Sequence, residues 1–167
     1  MGVEVQNPNP LSAFQNAAAA PTLIRASKTF TGAANLGATG VNELFTTTGA
    51  VLLDGFWVRC TDDLVDAVDG AFFEFGVTGT ANLFTAGLFL TPFDLDAIDA
   101  GDGMDTIAET FSDGFGLHVN LRYAIFDNII MTISAQAITG GTLEFYILYR
   151  PLSSGAGLAI GAGMTAI

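Results

Sequence analysis

DNIIMTISAQAITGGTLEFYILYRP, residues 127–151, consists of two long β-type runs around a glycine pair. In the first run Ile129, Met131 and Ile133 alternate with Ile130, Thr132 and Ser134. In the second, Leu143, Phe145, Ile147 and Tyr149 alternate with Glu144, Tyr146, Leu148 and Arg150. Successive strand residues point to opposite faces, so each run carries one richly apolar face. Thr139-Gly140-Gly141 supplies residues that tolerate positive φ, and the spacing predicts a hairpin turning at that point. Pro151 donates no ladder hydrogen bond and closes the second run. A hairpin this apolar needs a second sheet over it, and the preceding segments are expected to supply that sheet.

Outward from this stretch, strands are expected over 22–30, 42–48, 50–62, 71–77, 83–90, 115–119 and 121–126, punctuated by glycine. Residues 64–69 read as a turn or one short helical turn. In the third of these strands Phe56 and Val58 alternate with Trp57 and Arg59, which places Trp57 on the opposite face from Phe56. Many short strands with little helix predict an all-β chain, a jelly-roll-like β-sandwich over 22–152. Residues 1–21 read as an extended arm interrupted by Pro8, Pro10 and Pro21, and 153–167 as a glycine- and alanine-rich tail. These ends carry the apolar residues Leu11, Phe14, Leu158, Ile160 and Met164 but one charge, Glu4. Apolar groups gain by finding cover, so those five are the expected contacts to a neighbouring subunit or shell.

At 167 residues the chain is expected to form one domain, with 14 Phe available for its core. Its 17 acids against 5 bases leave a net charge of −12. No cationic footprint is expected from Arg25, Lys28, Arg59, Arg122 and Arg150, which argues against nucleic acid and anionic membranes as partners. Only 13% of residues are charged, against a usual value of about 25%, which suggests a surface covered by other subunits. The lone Cys60 rules out an internal disulfide, and MGVEVQ has neither the basic nor the apolar segment of a secretory signal.

No nucleophile, base and orienting group stand out as a catalytic set. His118 alternates with Leu117 and Val119 as a structural strand histidine would, and Cys60 beside Arg59 reads as an inert thiol. No phosphate-cradling or dinucleotide fingerprint occurs, and no cofactor is implied. The acids are the distinctive feature: 12 of the 17 fall between Cys60 and Leu117, with no Lys or Arg among them. Asp94, Asp96, Asp99, Asp102 and Asp105 read either as a solvated loop or as ligands for a hard cation such as Ca²⁺, without the EF-hand spacing.

Five segments together carry a resemblance: KTFTGAANLGATG, LFTTTGAVLL, RCTDDL, FGVTGTANLF and FYILYRPLS, between residues 28 and 153. The chain resembles head decoration, or capsid cement, proteins of tailed phages and prophages. The resemblance implies a non-enzymatic β-sandwich subunit on the outside of an icosahedral shell. It would be bound to the major capsid protein, often as a homotrimer, and assembled in the host cytoplasm. Rival expectations are a tail, spike or head-fibre subunit and a cation-dependent carbohydrate-binding module.

Overall fold

The computed structural model describes residues 20–66, 68, 70–84, 93–94, 100–101, 103–105 and 123–167. Among them there are strands and turns and no helix. The strands are β1 (Thr22–Thr29), β2 (Gly40–Thr48), β3 (Val51–Asp66), β4 (Phe72–Val77), β5 (Phe93–Asp94) and β6 (Gly103–Asp105). They continue with β7 (Tyr123–Ile125), β8 (Ile129–Ser134), β9 (Ile138–Pro151), β10 (Gly157–Ile160) and β11 (Thr165–Ala166). One sheet runs β11-β1-β9-β3-β6, with β7 also paired to β3, and the other runs β10-β2-β8-β4-β5. Every pairing is antiparallel. Four pairs nest within one another along the chain, from β4–β5 through β3–β7 and β2–β8 to β1–β9.

The expected hairpin of residues 127–151 does not form. Its first run is β8 and its second is β9, and they lie in different sheets. The connection is a three-residue turn in which Gln136 N donates to Ser134 O at 2.8 Å, with Ala135 at φ 63°. Two adjacent runs that each carry a full apolar face bury more by facing one another than by lying side by side. Met131 and Ile133 of β8 accordingly share the core with Leu143, Phe145 and Ile147 of β9.

Gly140 and Gly141 sit inside β9. Opposite them β3 is bulged between Cys60 and Asp62 and again between Asp62 and Val65. Gly141 has φ 91°, and a Cβ there would overlap the Asp63 carbonyl and the Leu64 backbone. The glycine thus permits close approach to a bulged neighbour instead of reversing the chain. The same bulges carry β3 through Leu64–Asp66, where a turn is expected from the sequence.

Other expected strands fall close to observed ones at β1 through β4 and at β7. Leu83 and Phe84 instead lie in a turn whose Phe84 N donates to Phe75 O at 3.0 Å. Residues 85–90 and 115–119 lie outside the described residues. Between the sheets the phenylalanines interlock. Phe56 and Phe145 of the first sheet meet Phe75 of the second at ring separations of 5.7 Å each, and Phe84 stacks on Phe56 at 5.0 Å. Each such ring contributes about 1.5–3 kcal/mol through burial, with a smaller addition from edge-to-face geometry.

The tail extends both sheets. Gly157–Ile160 pairs with β2 as the edge of one sheet, and Thr165–Ala166 pairs with β1 as the edge of the other. Leu158, Ile160 and Met164 are half-buried against this chain's own core. The chain's own sandwich thus covers them in part, through the two sheet edges beside them.

Candidate functional site

Trp57 and Phe56 point to opposite sides of β3. Phe56 is in the core, whereas Trp57 lies on the outer face of the first sheet. Three strands arrange this face in rows. Arg25 of β1, Tyr146 of β9 and Trp57 of β3 are cross-strand partners. The row on one side is Ser27, Glu144 and Arg59, and the row on the other is Leu23, Leu148 and Gly55. Gly55 is required here because a Cβ would overlap the Trp57 indole, which lies across it. Tyr146 Oη donates to Glu144 Oε2 at 2.6 Å. That bond, then burial, raises the phenol pKa above 10.0, against the opposing pull of Arg59 and Arg25. Toward the end of β9, Arg150 Nε pairs with Asp54 Oδ2 at 2.6 Å. Asp54 is the extra residue of the bulge between Leu53 and Gly55, and the bulge turns its side chain toward Arg150.

The face thus gathers Arg25, Arg59 and Arg150, three of the five bases in the sequence. The three bases share the face with the acid Glu144, and Arg150 is already paired with Asp54. The bases are far apart in sequence, and only the pairing of β1, β9 and β3 brings them together. Period-two alternation signals which face each takes, but not which strands neighbour one another. Leu23 is 52% exposed beside Arg25, so the patch is amphipathic as well as cationic.

A second unusual group lies inside. Lys28 follows Ile24 and Ala26 along the inward face of β1, and none of its surface is exposed. Among the described residues its Nζ has no hydrogen-bond partner. Burial lowers its pKa to about 8, with Glu43 partly opposing the shift. Glu43 is itself engaged, accepting from Thr46 Oγ1 at 3.0 Å and Asn128 Nδ2 at 2.8 Å.

Of the acids considered as cation ligands, Asp96, Asp99 and Asp102 lie outside the described residues. The backbones of the other two diverge: Asp94 pairs with Phe72 in one sheet and Asp105 with Trp57 in the other. Among the described residues no three His, Cys, Asp or Glu side chains group in a way that would hold a metal ion. Leu11, Phe14 and His118 are outside the described residues. Cys60 is buried, its Sγ donating to Asp62 O at 3.2 Å. No described helix is long and apolar enough to cross a membrane.

No protein-family model matches this sequence, and no curated protein is detectably similar to it. Among solved structures, the fold is similar to a chain in the acidic stable capsid structure of Helicobacter pylori bacteriophage KHP30. The match covers 86% of this chain and 95% of that chain, at 14% sequence identity and a TM-score of 0.50.

Proposed function

We propose that this chain is a structural protein of a phage virion, and within that class a decoration protein that cements an icosahedral head. The observation that carries the reading is the fold shared with a chain of a phage capsid structure along nearly the whole length of both. The nested strand pairs support a jelly-roll winding, since folding one long hairpin across itself deals successive pairs to alternate sheets. The resemblance of the quoted segments to phage cement proteins supports the finer role. Under this reading the major capsid protein is the partner, the oligomer is a homotrimer on the capsid surface, and assembly takes place in the host cytoplasm. The arm, residues 1–21, reaches the shell with Leu11 and Phe14 as its anchors.

The test adds purified protein to phage heads lacking it. Stoichiometric occupancy and a raised thermal midpoint of the shell are expected, because a ligand that binds only the assembled state stabilises that state by mass action. Heads that take up none of the protein would remove the decoration role. A variant beginning at Thr22 should bind more weakly, and full occupancy by that variant would discard the arm as a contact.

A further inference from the structure

The outer face of the first sheet is the one surface of the described residues where cations gather, on a chain of net charge −12. Arg25 and Arg59 are exposed and make no ion pair among the described residues. Between and beside them stand Tyr146 and Leu148, half-buried, and Leu23, half-exposed. Further along β3 the sign reverses: Asp62 and Asp63 are exposed on the bulged end of the strand. Two copies of so acidic a chain repel one another, so any contact between them must place opposite charges together locally.

We infer that this face is a docking site for a second copy of the chain, which presents the acidic end of its β3 to Arg25 and Arg59. The match is one of charge. Among the described residues the patch holds the exposed cations, and Asp62 and Asp63 at the end of β3 offer it exposed carboxylates. Leu23, Leu148 and the Tyr146 ring form an apolar centre, and the guanidinium groups form a polar rim. Joining the face of one copy to the acidic end of the next uses two different patches, the head-to-tail kind of contact that a ring requires. Such head-to-tail contacts close into a ring where the rotation between copies allows it, a three-fold rotation giving a trimer. The inference deepens the homotrimer of the proposed function by naming its interface, and it is testable without any shell.

The experiment measures mass by light scattering at tens of micromolar, with folding checked by circular dichroism. Wild-type protein should be oligomeric at low salt. Its association should weaken roughly ten-fold or more between about 50 mM and 500 mM salt, as expected for exposed charges. Arg25→Glu/Arg59→Glu and Asp62→Lys/Asp63→Lys should each be monomeric alone, and mixing the two should restore a complex of at least two chains. The first variant keeps a native acidic end and the second a native arginine face, so one native contact is available in the mixture. A wild type that is monomeric at every salt overturns the inference. So does a folded Arg25→Glu/Arg59→Glu that keeps the wild-type mass. Monomeric variants that fail to combine also overturn it, and would assign the face to the acids of another protein. Occupancy of wild-type protein on heads is a separate readout: its failure sinks the virion role and leaves the copy-to-copy contact standing.

Discussion

Lys28 occupies a core position where an apolar residue would normally stand. The alternation Ile24, Ala26, Lys28, Phe30 turns its side chain inward, and Nζ finds no acceptor among the described residues. Burying a charged amine is costly, and the lowered pKa expresses that cost. The unfolded chain holds the proton up to the ordinary 10.5, whereas the folded chain releases it near 8. Below about 8 the penalty is present in full; between there and 10.5 the unfolded state binds more protons, so stability rises with pH. That gap corresponds to about 3 kcal/mol. The raised pKa of Tyr146 opposes this gain only once pH passes 10.0, where the unfolded phenol loses its proton first. Lys28→Met should therefore gain about 2–3 kcal/mol at pH 7 by removing the penalty. Urea unfolding at pH 7 and pH 9.5 checks this: the wild type should gain on the alkaline side, while the variant changes little. Equal slopes for the two proteins would show that Lys28 is not the titrating group.

At the scale of elements, β10 and β11 are short, yet each completes one sheet. Ala156, Leu158, Ile160 and Met164 pack on the core, and half-burial of such side chains is worth about 1 kcal/mol each. A chain stopped at Ser153 should accordingly lose several kcal/mol and leave β1 and β2 as open edges. Its urea midpoint should fall well below that of the full chain, and an unchanged midpoint would show that the tail contributes nothing to the sandwich. Gly141 makes a similar argument at a single position inside β9. With φ at 91° and the β3 backbone in the space of a Cβ, Gly141→Val should cost about 3 kcal/mol or more. The adjoining Gly140 has a negative or extended φ and only ordinary contact with Val65. Gly140→Ala should therefore be far milder, and comparable losses at both positions would contradict the account of the bulge.

For the whole molecule, charge and fold act separately. The sandwich is held by apolar faces and interlocked aromatic rings, while the net charge of −12 sets how copies meet in solution. Repulsion between copies vanishes near the isoelectric point of about 4.1, so turbidity should peak close to pH 4 and clear on either side. A broad solubility plateau through pH 4 would mean that local patches, not net charge, govern association.

Periodicity and punctuation in the sequence determined that the chain is all-β, that β1, β2, β3 and β4 lie close to where they are expected, and that Trp57 and Phe56 part company. Alternation along one strand is a local property, enforced by backbone geometry wherever the strand ends up. The tertiary structure decided everything that depends on which strand lies beside which. It sent β8 and β9 to opposite sheets, because two full apolar faces bury more when they face one another. It placed Gly141 against a bulge where the residues alone suggest a turn, and it seated the apolar tail on the chain's own open edges. It also collected Arg25, Arg59 and Arg150 on one face. Pairing joins residues more than a hundred positions apart through backbone hydrogen bonds that are the same for every side chain, so such neighbours leave no mark in a single sequence.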